Sequence, residues 1–143
     1  MDRNELVRLA LEARNHSYAP YSHFGVGAAL LTESGKVYQG CNVENASYGG
    51  TICAERNAAL RAVYEGERRF TAIAVAGFPD NCPEEDRGYA YPCGICRQVL
   101  REFAVPGMKV YIARTEEDVV ETTLEELLPM SFGPEDLPIS DAH

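Results

Sequence analysis

The eight residues TAIAVAGF, 71 to 78, carry no charge and no alternation of polar with apolar positions. A strand of that kind has no face to offer water, so it must be covered on both sides, as strands are when helices pack on each face of a sheet. The flanking segments supply helices. Leu6, Leu9, Ala10 and Ala13 recur at helical spacing and predict one amphipathic helix over 3–14. CAERNAALRAVYEG, 53–66, predicts a second, with Ala58, Ala59, Ala62 and Val63 as its buried stripe and Gly66 as its C-terminal cap. Pro92 opens a third, because its missing N–H costs nothing in a first turn, and Ile95, Val99 and Phe103 are predicted as the inner face. VGAALLT and KVYQGCNV flank the turn ESGK as a hairpin, MKVYIA reads as a further strand, and TLEELLP reads as a short helix capped by Thr123. Helices alternating with buried strands predict an α/β fold, a sheet between helical layers. The length, 143 residues, suits one such domain over 1–143.

Charge narrows the possible partners. The net charge is −9, and acidic residues crowd TEEDVVETTLEELL. Binding to nucleic acid draws its affinity from lysine and arginine, so a nucleic-acid partner is not expected and a small neutral substrate is. No apolar run approaches the roughly 20 residues that span a bilayer. The charged, amphipathic N-terminus does not read as a secretory signal. Five cysteines, an odd number, argue against a disulfide framework and for a reducing compartment, the cytoplasm. His16, His23 and His143 carry no visible chemistry.

Cysteines stand at the entry of two predicted helices. Cys93 and Cys96 stand three apart in PCGIC, and Cys53 opens TICAER. A helix N-terminus favours negative charge and so favours thiolate, the form that binds metal. Two such termini could deliver three sulfurs to one point. Three ligands on zinc leave a fourth position for water, the pattern of a catalytic site. Spacing alone leaves other readings open: a redox pair, buried thiols, or a structural zinc completed by Cys41, Cys82, His16 or His23. Glu55 lies off the helical face of Cys53, beside a metal rather than among its ligands, where it could move protons. Arg56 follows Glu55 and Arg97 follows Cys96, and guanidinium groups bonded to the sulfurs would offset their negative charge.

The sequence resembles the zinc-dependent nucleoside and base deaminases in C-A-E followed by P-C-x-x-C. Along nearly its whole length it is similar to the small homotetrameric cytidine deaminases, through YAPYSHFGVGAALLT, GCNVENASYGGTICAERNAALRAV, PCGICRQVLREF and ELLPMSFGPEDL. The resemblance implies a three-layer α/β/α sandwich with a five-stranded mixed sheet and a zinc ion on Cys53, Cys93 and Cys96. It implies hydrolytic deamination of cytidine and 2′-deoxycytidine, with Glu55 transferring protons. It places Asn42 and Glu44 on the ribose hydroxyl, Tyr48 near the 5′ end and Phe24 against the pyrimidine. It places Phe132 in a neighbouring subunit's site, within a homotetramer that shares its sites. The alternative is a deaminase of modified pyrimidine nucleosides, either N4-substituted cytidines or the blasticidin S type.

The chain departs from the family pattern at three points. Tyr91 stands where serine or threonine usually precedes P-C-G, and serine there is expected to cap the helix better. The segment 79–91 is longer than usual. Gly25 replaces a proline, which predicts local freedom near Phe24.

Overall fold

The computed structural model describes residues 1–138, and His143 lies outside them. Helix α1 (Arg3–Arg14) leads into strands β1 (Phe24–Thr32) and β2 (Val37–Cys41). Helix α2 (Ala54–Tyr64) and strand β3 (Phe70–Pro79) follow, then α3 (Gly94–Arg101) and β4 (Ala104–Ala113). β5 (Val119–Thr123) and α4 (Leu124–Leu127) complete the regular elements. The strands form one five-stranded sheet in the order β2-β1-β3-β4-β5. β1 runs antiparallel to β2 and to β3, β3 and β4 are parallel, and β5 returns antiparallel to β4. A parallel pair needs a crossover connection, and α3 lies within the one joining β3 to β4.

The two faces of the sheet differ in side-chain size. Leu30, Ile73, Val75, Met108, Val110 and Ile112 face a core closed by α2, α3 and α4. Ala29, Ala72, Ala74, Ala76 and Ala113 face the other way, under Leu6, Val7 and Ala10 of α1. Strand side chains alternate faces, so TAIAVAGF sends isoleucine and valine to one layer and alanine to the other. A sheet face made of alanine lets α1 sit close. At Gly27 a Cβ would stand 2.1 Å from the Ala10 carbonyl oxygen, so only glycine fits under the helix. Gly40 does the same for α2, where a Cβ would lie 2.4 Å from the Ala54 carbonyl oxygen. That approach fixes the start of α2, and with it Cys53.

The end of α2 is closed as the sequence predicts. Gly66 takes φ +95°. Gly66 N–H donates to the Val63 carbonyl and Glu67 N–H to the Ala62 carbonyl, a complete Schellman cap.

Four expectations need correction. Ile95 is 62% exposed, and Cys96 and Leu100 take the inner positions of α3 instead, with Val99 and Phe103 packed at the margin of the core. The helix starts later than Pro92, which is buried ahead of the N-cap residue Cys93. Position 91 therefore cannot cap α3, whatever residue stands there. Gly25 is no point of freedom: it pairs with Phe78 within β1, and Arg14 Nε donates to its carbonyl at 3.0 Å.

Candidate active site

The segment 42–53 is pinned before α2 begins. Val43 and Ile52 exchange backbone hydrogen bonds at 3.0 Å each, and Tyr18 and Glu44 extend the pairing. This returns the chain so that Cys53 becomes the N-cap residue of α2. Cys93 is the N-cap residue of α3, and Cys96 sits one turn in, fully buried. The two helix starts meet. Cys53 Sγ and Cys93 Sγ are 3.9 Å apart, and the ligand atoms of Cys53, Cys93 and Cys96 all lie within 4.8 Å of one another. A tetrahedral zinc with bonds of about 2.3 Å to sulfur sets sulfur–sulfur edges near about 3.8 Å. The three cysteines fit that ion, and neither Cys41 nor Cys82 joins the cluster.

Arg56 Nη2 donates to Cys53 Sγ at 3.4 Å and approaches the Thr51 carbonyl oxygen at 3.5 Å. Its Nε is buried without a hydrogen-bond partner among the described residues. Arg97 does not reach the sulfurs. Its Nε donates to the Pro92 carbonyl and its Nη1 to the Leu127 carbonyl, each at 2.7 Å, so it ties the peptide before Cys93 to the end of α4.

The thiols share protons unequally. A hydrogen bond from Cys96, opposed by burial and helped by Arg56 and Cys93, holds the Cys53 thiol down to about 5. Cys96 is pushed up by donating that bond, and further by burial. Glu55, on the first turn of α2, is only 4% exposed. Burial raises its carboxyl from 4.5 to about 7, and the neighbouring Cys53 charge adds to the rise while Arg56 opposes it. A carboxyl with that pKa can both accept and donate a proton near neutrality.

A cleft of about 280 Å³ opens over these groups. Phe24, Asn42, Glu44, Cys53, Glu55 and Cys93 all line it. A larger hollow, about 600 Å³, lies between α4 and Arg101 but holds none of the three cysteines. The smaller one holds Cys53, Cys93 and Glu55.

The internal bonds of the cleft were not visible in the sequence. Asn42 Nδ2 donates to the Phe24 carbonyl and its Oδ1 accepts the Val26 N–H, both at 2.8 Å, which leaves one N–H and one lone pair free. Glu44 Oε1 accepts the N–H groups of Tyr21 and Ser22 at 3.0 Å, and its Oε2 accepts the Ser22 hydroxyl. These bonds, the Ser22 hydroxyl foremost, hold its carboxyl below the ordinary range. Ser22, Thr51, Ala90 and Tyr91 also line the cleft. The first three had no signal in the sequence.

Two expected residues stand apart. Tyr48 is 75% exposed on a one-turn 3-10 helix, edge-on to Tyr21 at 6.0 Å, and does not line this chain's cleft. Phe132 is 58% exposed, its carbonyl accepting from Gln98 Nε2 at 3.0 Å on α3.

Two helix N-termini presenting three sulfurs, with a buried carboxyl beside them and an open cleft above, define a zinc-dependent deaminase centre. Residues 1–112 match the family described as "Cytidine and deoxycytidylate deaminase zinc-binding region". The chain belongs to that family, and its cofactor is zinc. It is 46% identical over 137 residues to a cytidine deaminase of Sporosarcina psychrophila, with 96% of each chain covered. A crystal structure of cytidine deaminase from Burkholderia pseudomallei superposes with a TM-score of 0.82 at 46% identity, covering 92% of this chain and 100% of that one. A blasticidin-S deaminase of Bacillus cereus is more distant, at 34% identity over 130 residues and 90% of each chain.

Proposed function

We propose that this protein hydrolyses cytidine and 2′-deoxycytidine to uridine and 2′-deoxyuridine, releasing ammonia. The observation that carries the reading is Glu55, buried beside the three-sulfur cluster with a pKa of about 7, at the floor of a cleft lined by Phe24 and Glu44. Zinc on Cys53, Cys93 and Cys96 supplies a Lewis acid that acidifies water. Glu55 takes the proton of the attacking water and passes it to ring N3, which makes C4 more electrophilic. The C4–O bond forms; Glu55, now ionised again, takes the second proton from the new C4 hydroxyl and delivers it to the amino nitrogen, and the C4–N bond breaks to release ammonia and leave the C4 carbonyl. Arg56, bonded to Cys53 Sγ, offsets the negative charge of three thiolates.

The remaining residues bind. Phe24 stacks on the pyrimidine, and its carbonyl is fixed by Asn42, whose spare N–H serves the ribose. Glu44, held ionised by Ser22, accepts from a ribose hydroxyl. Tyr48 serves the 5′ end of the ribose, and Phe132 reaches a neighbouring subunit's site in a homotetramer. Supporting this, Leu60, Tyr64, Ile95, Met130 and Phe132 expose apolar surface on α2, α3 and the segment after α4. No helix among the described residues is long and apolar enough to cross a membrane, and five free cysteines suit the reducing cytoplasm.

The test is a panel of cytidine, 2′-deoxycytidine, N4-methylcytidine and blasticidin S, presented to zinc-quantified protein. Cytidine and 2′-deoxycytidine are expected to give the highest kcat/KM. A clear preference for blasticidin S or N4-methylcytidine would instead support the modified-nucleoside reading.

A further inference from the structure

Residues 79–91 are irregular but not loose. Arg87 Nη1 donates to the Arg114 carbonyl at 3.0 Å. Arg114 returns its Nε to the Arg87 carbonyl and its Nη2 to the Glu85 carbonyl, the latter at 2.9 Å. Asp118 joins this brace, accepting from Arg114 Nη1 at 2.8 Å and from the Tyr89 hydroxyl at 2.6 Å. Arg14 and Arg87 each stack on the Phe78 ring with 3.8 Å to its centroid. The segment is thus fastened at both ends, to β3 and to the β4–β5 turn.

Where it returns toward Cys93, it crosses Gly77. A Cβ at Gly77 would lie 2.9 Å from Ala90 Cβ, 3.0 Å from Val26 Cγ2 and 3.1 Å from Phe24 Cε1. All three of those neighbours line the catalytic cleft. The missing side chain at Gly77 lets the braced segment close against Phe24, and it presents Tyr91, 46% exposed, as cleft wall beside Cys93.

We propose that Tyr91 is a specificity-determining residue that limits the size of the group leaving from C4, with Arg114 as the residue that positions it. The inference rests on the deaminase reading above. Tyr91 and Cys93 line the same cleft, so a C4 held at Glu55 and the sulfur cluster carries its leaving nitrogen close to Tyr91. Water adds its oxygen to C4, the C4–N bond breaks, and the nitrogen leaves protonated, as ammonia from cytidine or as methylamine from N4-methylcytidine. An aromatic ring on the cleft wall takes the space that an N-alkyl group needs. One methyl group more or less in a fitted pocket changes kcat/KM by about tenfold or more.

The experiment measures uridine formation from cytidine and from N4-methylcytidine by the wild type and by Tyr91→Ala, Tyr91→Phe and Arg114→Ala. The ratio of kcat/KM, N4-methylcytidine over cytidine, is expected to rise about tenfold in Tyr91→Ala, to move in the same direction in Arg114→Ala, and to stay within about twofold in Tyr91→Phe. General damage to the fold would lower both substrates together and leave the ratio where it was. An unchanged ratio in Tyr91→Ala, with the wild type active on cytidine, overturns the inference alone. A rise in Tyr91→Ala without one in Arg114→Ala overturns the positioning role. A zinc-loaded wild type inert on both substrates overturns the deaminase reading, and this inference with it.

Discussion

Replacing Glu55 by glutamine in zinc-free, reduced protein isolates what burial does to this carboxyl. Glutamine keeps the shape and removes the ionisation. Below pH 4.5 the folded and unfolded wild-type chains both hold the proton, and the two proteins should differ little. Between 4.5 and about 7 the unfolded chain has lost its proton while the folded chain keeps it, so rising pH favours unfolding. Above about 7 the folded chain carries a buried carboxylate at full penalty. At about 1.36 kcal/mol per pKa unit, the rise from 4.5 to about 7 amounts to about 3 kcal/mol. The wild type should therefore lose stability relative to Glu55→Gln through that window, by about 3 kcal/mol in all. Urea unfolding at fixed protein concentration, with chelator and reductant, reads the difference at about pH 5, 6, 7 and 8. A gap that stays flat within about 0.5 kcal/mol across that range would refute the reasoning.

Arg56→Ala removes the donor to Cys53 Sγ and should weaken zinc retention by about 10- to 100-fold in chelator competition, whereas Arg97→Lys, far from the sulfurs, should retain zinc better. Gly27→Ala drives a methyl into the Ala10 carbonyl and should lower stability by about 1–3 kcal/mol in urea unfolding, without change in zinc content. Zinc joins the starts of α2 and α3, so chelation should lower Tm, and Zn²⁺ should restore it where Mg²⁺, which prefers oxygen ligands, does not.

The metal cluster was legible because its chemistry is local: a helix start is visible one residue at a time, and cysteine at that position has few roles. The buried strands were legible too, since apolar runs need covering on both sides. β5 was not. VVETT sits in an acidic stretch and forms a short edge strand, where exposed polar positions hide the pattern. Ile95 misled because helical phase depends on where the helix begins, and the start at Cys93 turns Cys96 and Leu100 inward instead. The role of Arg97 was equally hidden. Beside Cys96 in sequence, it points to carbonyls of Pro92 and Leu127, a contact between elements that spacing does not encode. Asn42 and Glu44 were read as ribose ligands, yet much of their bonding capacity shapes the cleft around Phe24 and Ser22. The brace between Arg87 and Arg114 joins residues 27 apart in the chain, with no signal in the sequence at either end.

The most direct test of the account compares ammonia release from cytidine by wild-type protein and by Glu55→Ala, with the zinc content of each measured in the same preparation. The account expects the same zinc content in both, steady turnover in the wild type, and at least about a hundredfold loss in the variant. Equal turnover in Glu55→Ala, with zinc in place, would contradict the claim that this buried carboxyl moves the proton.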